Sequence, residues 1–339
     1  MLFLIFIVAL VCSYCLTYFL RTYALNKNII DIPNARSSHS IPTPRGGGVA
    51  IVLVFLTVVP VLYFCGLLIQ TDFLAIFVTG SCVALIGFVD DHGHIAARWR
   101  LLAHMLVSIW AIYWVGGLPD LSILGLTLSS GWLSSILSVI YLVWMLNLYN
   151  FMDGIDGLAS LEAVTVCIGG AIIYWCLGEN SHVYVPLALA AAVTGFLFWN
   201  FPPAKIFMGD AGSGFLGVTL AILSIQASWI APELLWSWLI LLGVFIVDAT
   251  FTLLRRLLRG DKVYEAHRSH GYQYASRKFK RHLPVTLGIT AINVFWLFPL
   301  ALLVALNFIG GFYALLFAYA PLLFLAVKFN SGAQELKVS

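Results

Sequence analysis

Charge is what this sequence has least of: lysine, arginine, aspartate and glutamate together make up 10% of 339 residues, where a soluble domain carries about a quarter. Against 61% hydrophobic residues, that scarcity excludes a water-soluble globule. Long polar inserts are missing as well. The longest, near 255–282, is under thirty residues, too short to be a separate soluble domain. Short segments alternating between apolar and polar residues are absent, which excludes a membrane β-barrel. Six cysteines (Cys12, Cys15, Cys65, Cys82, Cys167, Cys176) all fall in apolar runs, with neither a zinc spacing nor a disulfide framework. No basic n-region or small-residue cleavage site precedes Arg21, so the first run reads as a membrane helix rather than a leader. An internal repeat is also missing, which leaves the inverted-repeat argument for a transporter without support.

What the sequence has instead is a series of apolar runs of 17 residues or more, each able to cross a hydrocarbon core of roughly 30 Å as a helix. They lie near 2–20, 47–69, 73–89, 101–116, 132–149, 158–177, 183–199, 213–230, 234–254, 284–305 and 308–328. The expected fold class is an all-α polytopic integral membrane protein of about 11 transmembrane helices. Ten remains an alternative, because Asn307, Gly310 and Gly311 make only a tight turn between the last two runs. Residues 1–330 read as one transmembrane catalytic domain and 331–339 as a short cytoplasmic tail.

The polar stretches between runs alternate in sign. Arg21, Lys27, Arg36, Arg45, Arg98, Arg100, Lys205, the set from Arg255 to Arg281, Lys328 and Lys337 all fall on one side; Asp72, Asp120, Glu179 and Glu233 fall on the other. The positive-inside rule puts the basic set in the cytoplasm, the N-terminus in the periplasm and the C-terminus in the cytoplasm. Trp99, Trp132, Trp175, Trp199, Trp229 and Trp236, near helix ends, read as interfacial anchors.

That topology gathers acids. Asp90 and Asp91 follow one run, Asp153 and Asp156 end another in Asn147-Leu148-Tyr149-Asn150-Phe151-Met152-Asp153-Gly154-Ile155-Asp156-Gly157, and Asp210 precedes a third in Met208-Gly209-Asp210. Carboxylates near membrane depth are costly and mark function. Brought to one surface they repel one another unless cations complement them, and hard divalent ions such as Mg²⁺ or Mn²⁺ suit an all-oxygen donor set. Asn147, Asn150, Asp153 and Asp156 recur every three residues and form one polar stripe if the helix continues. The alternative for them is solvated polarity at a helix end.

Two loops supply the opposite charge. Arg36, Arg45 and the run Gly46-Gly47-Gly48 read either as a flexible helix entry or as exposed N–H groups and guanidinium meeting an anion. His267, Arg268 and His270 sit in a basic loop where imidazoles and a guanidinium suit phosphate oxygens; charge that only holds the loop inside, or a zinc site, are the other readings. Asp248, just before this loop, reads as orienting it or capping Arg255 and Arg256.

Pro33 to His39, Pro42 to Gly48, Gly87 to Asp91, Asn147 to Leu158, Phe207 to Gly217 and Asp248 to His270, in that order, resemble the polyprenyl-phosphate N-acetylhexosamine-1-phosphate transferases, glycosyltransferase family 4. The resemblance implies transfer of a sugar 1-phosphate from a UDP-activated N-acetylhexosamine to undecaprenyl phosphate. UMP is released at the cytoplasmic face of a bacterial inner membrane, and Mg²⁺ or Mn²⁺ is required. By that carry-over Asp210 is the principal metal ligand. Asp90 and Asp91 lie at the attacking phosphate, Asp153 and Asp156 shape the nucleotide and metal site, and His267, Arg268 and His270 contact the nucleotide sugar. No nucleic-acid partner is implied, and a homodimer is left open.

Two departures bear on the donor. His92-Gly93-His94 replaces the lysine-containing pattern of muramyl-pentapeptide enzymes, and His267-Arg268-Ser269-His270-Gly271-Tyr272-Gln273 has fewer histidines than the N-acetylglucosamine branch. The loop is similar to the branch that starts O-antigen, in lipopolysaccharide synthesis, on N-acetylfucosamine or N-acetylquinovosamine. From another class, a membrane transporter using its intramembrane acids stays as the alternative.

Overall fold

The computed structural model describes residues 2–33, 41–93, 95–123, 126–261 and 267–334. Its helices in chain order are α1 (Leu2–Asn26), α2 (Gly48–Phe64), α3 (Gln70–Gly93), α4 (Ala97–Val115), α5 (Trp132–Met152), α6 (Leu158–Leu177) and α7 (Tyr184–Asn200). There follow α8 (Asp210–Ile230), α9 (Pro232–Leu241), α10 (Gly243–Leu258), α11 (Gly271–Phe279), α12 (Leu283–Ile292), α13 (Phe298–Ala305) and α14 (Gly311–Lys328). Two short antiparallel ladders decorate loops: β1 (Ile30–Asp31) with β2 (Thr43–Pro44), and β3 (Leu121–Ile123) with β4 (Leu126–Leu128).

All eleven expected runs are helical, and the protein is an all-α polytopic membrane protein. Among the described residues eight helices are long and apolar enough to cross a membrane, or nine if α9 and α10 form one span bent by 73°. The shortfall from eleven has a local cause. α2 has only 17 residues, and α4 carries Arg98 and Arg100 in its first turn.

α8 is the axis of the bundle, buried along nearly its whole length. Small residues let its neighbours close on it. A Cβ on Gly48 of α2 would lie 2.6 Å from the Gly212 Cα, and one on Gly87 of α3 would lie 2.6 Å from the Asp210 carbonyl oxygen. On Gly217 it would meet the Met145 carbonyl oxygen of α5 at 2.6 Å. α3 and α5 therefore run against α8 with their C-terminal ends at its N-terminus, and α2 starts there. This packing sets the start of α2 and the ends of α3 and α5 around Asp210.

The first residues after 330 make contacts with the helical body. Ser331 Oγ donates to Asp248 at 3.1 Å and the Gly332 N–H to the Ser269 carbonyl at 2.6 Å. Arg255 and Arg259 donate to the carbonyls of Ser331 and Gly332 at 3.0 and 2.8 Å. Residues 331–333 thus belong to the packed body, because their carbonyls satisfy guanidinium groups at the end of α10; residues 335–339 lie outside the described residues.

Candidate active site

The N-terminus of α8 leaves N–H groups that its own helix cannot satisfy. Asp91, from the end of α3, supplies the acceptors: its carboxylate takes the N–H groups of Asp210 at 3.2 Å and Ala211 at 3.3 Å. Negative charge at a helix N-terminus is stabilising, so Asp91 is held where it is by α8 itself. Asp90 points elsewhere. One oxygen accepts the Ile95 N–H at 2.7 Å and the other pairs with Arg100, whose guanidinium is also 3.7 Å from Asp210. Asn150 donates to the Asp210 carboxylate, and Arg45 donates to the Asp91 carbonyl. Asp90, Asp91, Asp210, Asn150, Arg45 and Arg100 are therefore one constellation.

Asp153 completes it from the end of α5. Its carboxyl accepts no hydrogen bond among the described residues, and it is pushed well above the usual carboxylate range. Burial is the largest cause, followed by the charges of Asp210, Asp91 and Asp156. Among the described residues no three carboxylate, imidazole or thiol groups already close on a point as a metal shell. The donor set nevertheless has the right chemistry for a hard divalent cation: all-oxygen carboxylate donors whose charges act on one another, the kind of shell that substrate phosphate oxygens can finish.

Asp156 breaks from the predicted stripe. α5 ends at Met152 and Asp153 leaves helical conformation, so the period of three stops there. At Gly154 a side chain would collide with the Tyr272 hydroxyl, 2.1 Å from the built Cβ, and Gly157 has φ +71°. The turn sends Asp156 to the other side of the loop. There it accepts from the Ala204 N–H at 3.1 Å and lies 3.1 Å from Nδ1 of His282, and its carbonyl takes the Thr286 hydroxyl at 2.9 Å. Asn147 also misses the cluster, its amide donating to the Val143 carbonyl of its own helix at 2.7 Å.

Asp156 faces a separate cleft of about 520 Å³ lined by Thr43, Phe207, Arg277, Lys280 and Arg281 among others. Its polar and basic wall lies beside the acids, since Phe207 is three residues before Asp210 and Asp156 three after Asp153.

The glycine loop is corrected in part. The N–H groups of Gly47 and Gly48 donate to the carbonyls of Phe207 and Met208, both at 2.9 Å, and the Phe207 N–H donates to the Pro44 carbonyl at 2.8 Å. Neither a flexible entry nor an anion cradle describes Gly47, because its N–H is spent on fastening α2 to α8. Gly46 lies at φ +92° with open space around it, turning the chain so that Arg45 reaches Asp91. Arg36 lies outside the described residues.

The histidine loop packs directly on the second acidic motif. His267 and His270 stack at 4.9 Å, Phe151 lies 6.2 Å from His270, and the Tyr272 hydroxyl donates to the Phe151 carbonyl at 2.9 Å. Burial pushes both imidazoles down to about 3, followed by His270 and Arg256 for His267 and by Arg256 for His270. Both rings are therefore neutral at physiological pH. Asp248 holds this loop, accepting the N–H groups of Gly271 and Tyr272 at 2.8 and 3.0 Å. Of the two readings made for Asp248, orienting the loop is the one seen. Arg268 is partly buried, its carbonyl accepting from Arg277 at 3.2 Å.

Arg100, His282, Thr286 and Phe207 were not singled out in the sequence. For Arg100 a signal existed: a cation in the first turn of a helix opposes the helix dipole and calls for an acidic partner.

Residues 73–228 match the model of glycosyl transferase family 4. A Bacillus subtilis protein described as a probable undecaprenyl-phosphate N-acetylglucosaminyl 1-phosphate transferase is 33% identical over 78% of this chain and 74% of its own length. The chain belongs to glycosyl transferase family 4. A decaprenyl-phosphate N-acetylglucosaminephosphotransferase of Mycolicibacterium smegmatis is 29% identical over 86% of this chain and 80% of its own length. A phospho-N-acetylmuramoyl-pentapeptide-transferase of Bacillus licheniformis is 31% identical over 74% and 80%. Membership makes this glycosyl transferase family 4 chain a sugar-1-phosphate transferase and removes the transporter reading. The family match spans Asp90, Asp91, Asp153, Asp156 and Asp210, and stops before the histidine loop.

Proposed function

We propose that this chain transfers an N-acetylhexosamine 1-phosphate from a UDP-linked donor to undecaprenyl phosphate, releasing UMP, at the cytoplasmic face of a bacterial inner membrane. All eleven helical runs cross in this reading, with the N-terminus periplasmic. The observation that carries it is the meeting of Asp90, Asp91, Asp153 and Asp210 with Arg45 and Arg100 at one end of the bundle, beside a basic cleft.

Asp210, Asp153 and Asp91 are the residues that would hold Mg²⁺ or Mn²⁺. Such an ion, when bound, offsets the charge of the two anionic substrates and of the departing UMP. The chain's own residues do the rest. Arg45 and Arg100 stand at the acids as guanidinium partners for phosphate oxygens. The cleft with Arg277, Lys280 and Arg281 takes the anionic nucleotide end of the donor, and Phe207 offers a ring to its base. In the transfer, an oxygen of the lipid phosphate bonds to the sugar-proximal β-phosphorus while the bond to the bridging oxygen of UMP breaks. Asp90 and Asp91 are each tied to neighbours, which supports direct attack over a covalent aspartyl-phosphate. Phosphorus-31 tracking with acid quenching is expected to find no enzyme adduct; a trapped adduct overturns the direct route.

For the sugar, the histidine-poor loop supports a 6-deoxy donor, N-acetylfucosamine or N-acetylquinovosamine. The Bacillus subtilis and Mycolicibacterium smegmatis relatives carry N-acetylglucosamine in their names, which favours that sugar as a second reading. A pocket built for a C6 methyl rejects an added hydroxyl only weakly, by about 10²-fold, so some turnover of UDP-N-acetylglucosamine is expected in either case. The test is kcat/KM for UMP release by purified protein with undecaprenyl phosphate, Mg²⁺ and each UDP-sugar separately. A preference for UDP-N-acetylglucosamine overturns the deoxy assignment alone. Failure of every UDP-sugar in a folded sample overturns the proposed reaction.

A further inference from the structure

One buried polar pair in the apolar interior takes no part in the chemistry above. Glu162, in the second turn of α6, is 1% exposed, and Asn293, at the end of α12, is 3% exposed. The Asn293 amide donates to Glu162 Oε2 at 2.6 Å and lies 3.0 Å from the Thr165 hydroxyl. The other oxygens, Glu162 Oε1 and Asn293 Oδ1, are buried and have no hydrogen-bond partner. Among the described residues no lysine, arginine or histidine pairs with Glu162.

Two orphan acceptors on a side-chain pair already joined by one hydrogen bond make a specific pattern. An ionised carboxylate there would be a bare charge in an apolar interior, which is strongly disfavoured. A proton carried on Oε1 and donated to Oδ1 would satisfy both oxygens and close a two-bond ring of carboxylic acid and amide with the hydrogen bond already present. Asn293 also opens a π-helical stretch, Asn293–Leu297, just before Pro299, which has no N–H to donate. Such bulges interrupt helices at functional positions.

The position of Asn293 on its helix gives the pair a purpose. His282, Thr286 and Asn293 follow one stripe at intervals of four and seven, so they share a face. The first two hold Asp156 at the cleft and the third holds Glu162 of α6, whose N-terminus begins one residue beyond Gly157. We propose that Glu162 and Asn293 form a neutral acid–amide clamp that fixes α12 against α6 and so positions His282 and Asp156 at the nucleotide cleft. Both are positioning residues, and the role of the cleft rests on the function proposed above.

Glu162→Gln brings its own amide hydrogens and keeps the ring; Glu162→Leu keeps bulk and loses it. Infrared difference spectra of wild type against Glu162→Gln at neutral pH are expected to show loss of a protonated-carboxyl band. Loss of a carboxylate band instead overturns the clamp. In turnover, Glu162→Gln is expected to stay within about threefold of wild type, while Glu162→Leu raises KM for the UDP-sugar about tenfold, with kcat and the acceptor KM little changed. Equal loss in both variants overturns the proposal, as does no loss in either. If Glu162→Leu does not fold, Asn293→Leu serves, with the same expected KM-against-kcat split. The infrared result stands without turnover, so failure of every donor would remove the reaction proposed above and leave the clamp to be judged on the spectra.

Discussion

Asp153 and Asp156 stand three residues apart in one motif and live in different chemistry. Asp153 faces three other carboxylates with no hydrogen bond to its own among the described residues, and its proton is held well above the ordinary range. Asp156 is paired with His282 and accepts a backbone N–H from Ala204. The same residue type is an unsatisfied charge site in one place and a tethered wall in the other. The turn at Gly154 and Gly157 makes the difference, since a continued helix would have kept both on one face. Position relative to α8 assigns these acids their roles, and motif membership alone does not.

The largest expected effect lies on the Asp153 side. Asp210→Asn keeps size and hydrogen-bonding capacity while removing the charge that Asn150 and Arg100 complement. Turnover should fall by about 10³-fold, the scale of a lost electrostatic contribution in a catalytic site, with the protein still inserted. Near-normal turnover at saturating Mg²⁺ would remove Asp210 from the cation site.

Asp153→Asn sharpens the contrast by moving two measurements in opposite directions. Turnover should drop by about 10²-fold. In cation-free buffer at pH 7 the melting temperature should rise by about 2 °C or more, because the folded protein no longer desolvates a charge among like charges. The sign follows from a folded pKa above the unfolded one: the wild-type carboxyl stabilises fully below the unfolded value of 3.8 and loses that contribution as pH rises. The melting difference should therefore vanish in acid.

Asp156→Asn should act on binding, raising KM for the donor about tenfold, equivalent to about 1.4 kcal/mol, with kcat within a few-fold. A kcat collapse as deep as that of Asp153→Asn would erase the distinction between the two positions.

Smaller still is the pH effect of the histidine loop. Folded His267 and His270 titrate at about 3 against 6.5 for the ordinary side chain. The unfolded chain takes up protons below 6.5 that the folded chain refuses, so stability is complete above 6.5 and falls as pH drops towards 3. His270→Gln should flatten the melting-temperature curve between pH 6.5 and 4.5; an unchanged slope would mean that His270 is not buried neutral. Last, Lys278→Cys, at an exposed position of α11, in a background with the six native cysteines replaced, should leave turnover near wild type and react only with a membrane-permeant thiol reagent. Labelling by an impermeant reagent from the periplasm would invert the topology.

Much of the molecule was legible in the chain itself. The eleven helical runs, the clustering of carboxylates at helix ends and the pairing of a basic loop with them follow from hydropathy and charge, because a membrane leaves backbone few options but helix. Resemblance over the ordered set of stretches from Pro33 to His270 sufficed for the family. Other features needed the fold. Sequence periodicity extended the polar stripe to Asp156, and the end of α5 at Met152 with the turn through Gly154 and Gly157, packed on the Tyr272 hydroxyl, stops it. Gly47 looked like anion-binding backbone, yet its N–H is spent on Phe207. Arg100 looked like a topology signal and proved to sit between Asp90 and Asp210. Glu162 and Asn293, 131 residues apart, carried no local pattern that joined them. Helix formation is a local property, decided by the transfer of each segment from water to lipid. Which carboxylate meets a helix N-terminus, a guanidinium or another carboxylate depends on helices packing at glycines far apart in sequence, and those contacts exist only once α8 has its neighbours around it.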